Sequence, residues 1–268
     1  MDENFMNYSV IFDIERGFDF AEAKDWTRER LPLTVYSSLV YVVAIFAIQS
    51  YMKSRPPFEL RAPLATWNFL LAAFSLCGVL RTVPELVHAF STYGYAYTVC
   101  NNAIGHGITG FWTFLFVVSK LVELGDTLFI VLRRGRLIFL HWYHHITVLM
   151  YAFYCYADGT AAARWFVCCN YSVHTIMYTY YGLVAIRIRP PRWVSMAITA
   201  MQLSQMFVCF GASLYQYHLI TNKGVPCDGT HKSLYAGFAM FGTYIAIFGN
   251  FFYERYFREP SLKARKLQ

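Results

Sequence analysis

Seven apolar runs of nearly membrane-spanning length constrain this chain more than any other feature. They are about Leu31 to Met52, Pro63 to Leu80, Gly110 to Leu132, Leu137 to Tyr156, Ala162 to Ile186, Val194 to Leu219 and Leu234 to Tyr253. Each comes close to the ~20 residues a helix needs to cross ~30 Å of hydrocarbon. Irregular backbone cannot face lipid, because its peptide groups would lose water and gain no partner, so helices are the consistent choice. With 57% hydrophobic and only 15% charged residues, the chain is too apolar for an ordinary soluble domain of 268 residues. The expected fold is all-α and polytopic, with a 1–30 N-terminal segment, a seven-helix domain over 31–256 and a basic tail over 257–268.

The net charge of +7 does not point to nucleic acid, because the basic residues are spread over loops and form no stripe. They read as orientation signals. Lys53, Arg55 and Arg61 follow run one, Arg133, Arg134 and Arg136 follow run three, and Arg187, Arg189 and Arg192 follow run five. Arg255, Arg258, Lys263, Arg265 and Lys266 follow run seven. The positive-inside rule then places these loops and the C-terminus in the cytosol and the N-terminus in the lumen. No cleavable signal peptide is visible, so run one serves as a signal anchor.

Asn7-Tyr8-Ser9 is a glycosylation sequon on the expected lumenal side. Arg265-Lys266 near the end is similar to a dibasic retrieval signal and supports an endoplasmic-reticulum address. Five of the seven cysteines fall within spans, whereas Cys100 and Cys227 lie in two lumenal loops. Those two are expected to pair in an oxidising compartment, with two free thiols as the alternative.

The chemistry sits in the spans. LIFLHWYHHITVLMYAFYCY, Leu137 to Tyr156, carries His141, His144 and His145 at i, i+3 and i+4, on one helix face. Run three adds Lys120, Glu123 and Asp126 at steps of three, and charges inside a span usually face one another or a cavity. A purely structural Lys120–Glu123 pair is the plain alternative. Run five adds Asn170, His174, Tyr178 and Tyr181, and run six adds Thr199, Gln202 and Gln205. Counted from the cytosolic ends, these positions lie roughly 6 to 24 Å deep at ~1.5 Å per residue. Four runs therefore supply polar groups at overlapping depth.

Two chemistries suit such a cluster. Neutral imidazoles and carboxylates can hold iron or zinc, as in membrane desaturases and hydroxylases. Those enzymes use about eight histidines, however, and His88, His106, His218 and His231 fall in or near the lumenal loops. Acyl transfer is the other: one histidine serves as nucleophile or base while a second, or an amide, stabilises an oxyanion. A basic cytosolic mouth at Arg133, Arg134, Arg187, Arg189 or Arg192 would receive CoA phosphates, with the acyl chain threaded between the helices of runs two to seven. A lipid transporter or sensor is a third reading, weakened by the lack of inverted repeats.

SKLVELGDT (Ser119 to Thr127), HWYHH, NYSVHTIMYTYY (Asn170 to Tyr181) and TAMQLSQ (Thr199 to Gln205) resemble, in order and spacing, the signature boxes of the very-long-chain fatty acid elongases. The HWYHH form is similar to the branch acting on saturated and monounsaturated long chains, with Cys169 where that branch commonly has Met. The resemblance implies condensation of a long-chain acyl-CoA with malonyl-CoA to a 3-ketoacyl-CoA in the endoplasmic-reticulum membrane, without metal or nicotinamide. It also implies membrane lipid around the protein and, as partners, a ketoacyl-CoA reductase, a dehydratase and an enoyl-CoA reductase. A homodimer is left open, as are acyl length and unsaturation. On this reading His144 carries the acyl group, and His174 and Asn170 stabilise the oxyanion. His141 and His145 set tautomers and orientation. Lys120, Glu123, Asp126, Thr127, Tyr178, Tyr181, Gln202 and Gln205 give support. Cys169 is the rival nucleophile, though a helix step of ~100° turns it off the Asn170 and His174 face.

Overall fold

The computed structural model describes Tyr8 and residues 10–258; the sequon at Asn7 and the dibasic Arg265-Lys266 lie outside the described residues. Ten α-helices follow one another, and no strand occurs among the described residues. They are α1 (Asp13–Arg16), α2 (Phe20–Glu29), α3 (Leu31–Met52), α4 (Arg61–Cys100), α5 (Gly107–Glu123), α6 (Asp126–Leu132), α7 (Phe139–Asp158), α8 (Ala163–Ala185), α9 (Arg192–Lys223) and α10 (His231–Tyr253). A π turn, Glu254–Arg258, extends the last one.

Among the described residues, four helical stretches are long and apolar enough to cross a membrane: α3, α4, α9 and His231–Arg258. The chain is thus an all-helical, multi-pass membrane protein. Its α3 shows the solvent logic of a bilayer. Tyr36, Leu39, Val40 and Val43 stand exposed, whereas Thr34, Ser38 and Tyr41 turn inward. A continuous apolar outer face of this kind marks contact with lipid or another apolar partner.

Two expected runs take a different form. The second was expected to end near Arg81, but α4 continues to Cys100, with Pro84 inside it and a break in helical geometry at Gly94 (φ 81°, ψ 174°). The charges that suggest an end are neutralised by packing. Arg81 Nε lies 3.0 Å from Glu15 Oε1, and Glu85 receives Arg164 through two bonds of 3.0 Å. Arg164 is fully buried and also donates to the carbonyls of Thr98 and Asn101 at 2.9 Å.

The third run is two helices. Between α5 and α6 the backbone tightens to i→i−3 bonds, Gly125 N to Val122 O at 2.9 Å and Leu128 N to Gly125 O at 3.0 Å. Gly125 is required there because a Cβ would lie 2.8 Å from the Trp67 ring. A second close approach locks α4 to α8, where a Cβ on Gly78 would meet Tyr171 at 2.5 Å.

The N-terminal segment packs into the body. Phe18, Phe20 and Trp26 join the cluster of Phe116, Val117, Leu149 and Phe153 from α5 and α7. At one end of the bundle the loops after α4, α7 and α9 meet. Cys100 and Cys227 are disulfide-bonded, and Asp228 N bonds Cys100 O at 2.9 Å while Ala161 N bonds Asp228 O at 3.1 Å. At the other end the basic loops pair, with Arg134 Nη1 donating to Arg55 O at 3.2 Å and Arg192 Nη2 to Arg255 O at 3.5 Å.

Candidate active site

The inward faces of α5, α7, α8, α9 and α10 surround a narrow cavity of about 60 Å³. His144, Asn170, Gln205 and Tyr244 line one end, and Cys155, Tyr156, Ala163 and Thr113 line the other. Between them the wall is apolar: Val148, Ala152, Phe166, Val167, Met206, Met240 and Phe241. From His144 to Cys155 the wall of α7 runs roughly 16 Å at ~1.5 Å per residue. Although α4 braces α8 from outside, it contributes no lining residue, so the enclosing set is narrower than the six runs expected.

Of the four central histidines, His144 is the one among the cavity-lining residues. Its ring packs against Tyr244 (5.0 Å between centroids) and stands edge-on to Phe248 (6.0 Å) and His145 (5.6 Å). Among the described residues no hydrogen bond involves its ring nitrogens, whereas its carbonyl accepts from the Tyr244 hydroxyl at 3.2 Å. Tyr244 is held in turn by Thr147 at 2.5 Å. The imidazole is thus fixed by packing, with its nitrogens free for a ligand.

Behind the cavity wall runs a charged string. Lys120 Nζ donates to Glu123 Oε1 at 2.7 Å and to Asn170 Oδ1 at 2.8 Å. Lysine can only donate, so the oxygen of Asn170 must face it and the amide nitrogen faces His174 Nε2, at 3.1 Å. His174 therefore accepts at Nε2 and carries its proton on Nδ1, which lies 3.8 Å from Glu123 Oε1. Ser119 also donates to Glu123, at 3.0 Å. The Lys120–Glu123 pair exists, and it also aims the Asn170 amide, whose second hydrogen remains available. His174 does not line the cavity.

A second group surrounds Asp126, whose carboxylate accepts from Trp67 Nε1 at 2.6 Å and Tyr178 at 2.8 Å. Tyr178 stands edge-on to His174 with centroids 5.1 Å apart. His141 Nε2 lies 2.9 Å from Thr127 Oγ1, and the His141 and His145 rings are 4.5 Å apart. His145 is buried, and its Nδ1 has no hydrogen-bond partner among the described residues.

Not every expected residue joins this group. Tyr181 is 47% exposed, because eleven residues along α8 carry it past the end of the cluster although it shares the Asn170 face. Gln202 donates to the sulfur of Met177 at 3.1 Å and does not line the cavity, unlike Gln205. Arg133, Arg134, Arg187, Arg189 and Arg192 are all exposed. Arg134 (φ 55°) and Arg187 (φ 71°) hold the left-handed conformation just after α6 and α8. Cys169 does not line the cavity either. Trp67, Thr147 and Tyr244 were not singled out from sequence; a hydroxyl or indole in an apolar run was the only available signal.

Among the described residues, no group of three or more His, Cys, Asp or Glu side chains converges as metal ligands would. Of the central histidines, His141 faces Thr127, His174 faces Asn170 and His144 faces the cavity.

The site is apolar along most of its wall and polar at one end, inside an apolar helical bundle. The profile of the ELO: GNS1/SUR4 family matches residues 26–264. The chain is 44% identical over 264 residues to very long chain fatty acid elongase 6 of Drosophila melanogaster, covering 97% of this chain and 84% of that one. It is 39% identical over 256 residues to very long chain fatty acid elongase 6 of Homo sapiens, covering 94% and 96%. It is 42% identical over 229 residues to human very long chain fatty acid elongase 3, covering 85% and 84%. The chain belongs to this family of fatty acid elongases.

Proposed function

We propose that the protein is a 3-ketoacyl-CoA synthase of fatty acid elongation, condensing a long-chain acyl-CoA with malonyl-CoA by a ping-pong route through an acyl-histidine. The observation that carries this reading is the cavity itself, with the His144 imidazole at its polar end and an apolar wall beyond. A ring nitrogen of His144 attacks the thioester carbonyl, the new C–N bond forms, the C–S bond breaks, and CoA leaves with the imidazole proton. Malonyl-CoA then loses carbon dioxide, its enolate carbon bonds the acyl carbon, the C–N bond breaks, and the departing imidazole nitrogen takes up one proton from solvent, the proton that decarboxylative condensation consumes. Asn170 donates to the oxyanion, and His174 acts through the Asn170 amide. Buried donors fixed before the reaction are worth most where water is excluded.

This reading carries the finer topology as well. Seven spans place the N-terminus in the lumen and the basic tail in the cytosol of the endoplasmic reticulum. The arginines at the exposed loops meet the CoA phosphates, and the N-terminal segment and the tail flank the catalytic domain. A glycan at Asn7, a homodimer and cooperation with the reductases and dehydratase of the cycle follow from the same reading. Neither a metal nor a nicotinamide takes part.

The route is tested by incubating purified protein with malonyl-CoA and acyl-CoAs of graded length and analysing products. A 3-ketoacyl-CoA two carbons longer, with one carbon dioxide per turnover, supports it; an oxidised or desaturated acyl chain overturns it. The cavity length makes a second prediction. At ~1.25 Å per carbon, which follows from ~1.5 Å bonds at ~111°, the His144–Cys155 wall matches roughly 13 carbons. Ala163→Phe at the far end is expected to move the best acyl-CoA shorter by about two to four carbons, since each misfit methylene costs about tenfold or more in kcat/KM. An unchanged length profile in a folded variant would mean the chain does not end there.

A further inference from the structure

Tyr41 lies on α3, a helix with no charged residue and no part in the signature boxes. Its hydroxyl is 2.6 Å from Thr127 Oγ1, and Thr127 Oγ1 is 2.9 Å from His141 Nε2. Tyr41 is nearly buried and Thr127 wholly so. Ile45, one turn along α3, and Val131 on α6 are both buried in the same small cluster, which fixes how Tyr41 meets α6.

Counting protons decides the direction of this string. Thr127 has one hydroxyl hydrogen and two neighbours, and Tyr41 has one hydrogen and Thr127 as its hydrogen-bond partner. If His141 donated from Nε2, either the tyrosine or the threonine would keep a buried hydrogen without an acceptor, which is unfavourable. Only the order Tyr41 to Thr127 to His141 gives both hydroxyl hydrogens an acceptor. His141 then accepts at Nε2 and carries its proton on Nδ1. Its ring backs His145, and the His145 ring in turn stands edge-on to His144.

We propose that Tyr41, donating to Thr127, is a positioning residue that holds the Thr127 hydroxyl in line with His141 Nε2 and so sets the histidine wall beside His144. The inference rests on the acyl-transfer reading for its kinetic consequence and on geometry alone for the tautomer.

The test is a double-mutant cycle on the full-length protein: Tyr41→Phe, Thr127→Val and both. Each variant is followed by CoA release and turnover and by the nitrogen-15 spectrum of labelled histidine, with His141→Asn assigning the signal. Each single change is expected to lower kcat about tenfold, the size of one ordinary hydrogen bond, with KM for acyl-CoA within about twofold. The double variant should be no slower than Thr127→Val, because both changes break one string. Thr127→Ser should keep the wild-type rate and the Nδ1-protonated signal, which Thr127→Val should lose; Tyr41→Phe should keep the signal, because the Thr127 hydrogen still has His141 as acceptor, and lose rate. Wild-type rate in Tyr41→Phe, or losses that multiply in the double variant, overturn the proposal. If Tyr41→Phe does not fold, Tyr41→Met takes its place in the cycle with the same criteria. A wild-type protein that releases no CoA and forms no product contradicts the acyl-transfer reading instead, while the histidine spectrum still decides the relay.

Discussion

His144→Ala is expected to lower turnover by on the order of 10³-fold or more and to abolish any acyl adduct, with the protein still folded. The size follows from the chemistry, since a nucleophile lost is a bond that cannot form, whereas a lost orienting contact only raises the barrier. The ring lines the cavity and, among the described residues, no hydrogen bond involves its nitrogens, so removing it should leave the Lys120–Glu123–Asn170–His174 string intact. Intact-protein mass spectrometry after acyl-CoA addition, beside a melting curve, checks both halves. Cys169→Ala should keep the adduct, because Cys169 stands away from the cavity wall. An adduct that survives His144→Ala and vanishes in Cys169→Ala would reverse the assignment.

The second large effect is on stability. Glu85→Gln leaves the Arg164 guanidinium, fully buried, without its anionic partner. Breaking a buried pair on one side costs about 3 to 5 kcal/mol. Thermal unfolding in detergent should show a large fall in midpoint. Replacing both partners, Glu85→Leu with Arg164→Met, should recover part of it and no more, because Arg164 also satisfies the carbonyls of Thr98 and Asn101. A midpoint unchanged in Glu85→Gln would mean the pair contributes nothing. The pair matters to the site because Arg164 is the second residue of α8, the helix that delivers Asn170 and His174.

The polar cluster was legible in the sequence for a simple reason. Histidine, lysine and asparagine are conspicuous in apolar runs, and helical spacing puts His141, His144 and His145 on one face. The partners were less visible. Tyr41, Trp67 and Tyr244 look like ordinary apolar-run aromatics, and their hydroxyl or indole bonds reach other helices, which spacing along one helix cannot reveal. Arg81 and Glu85 look like a helix end because charge ordinarily leaves the membrane; here each has an opposite charge from another element, so α4 continues. Tyr181 shares a face with Asn170 but not a depth. The α5–α6 tightening depends on Trp67 crowding Gly125, a contact between runs.

The central claim, that His144 takes the acyl group before malonyl-CoA arrives, is tested most directly by mixing enzyme with labelled long-chain acyl-CoA alone. The account predicts release of about one CoA per active site, with the label on a peptide containing His144. No CoA release until malonyl-CoA is added would contradict it.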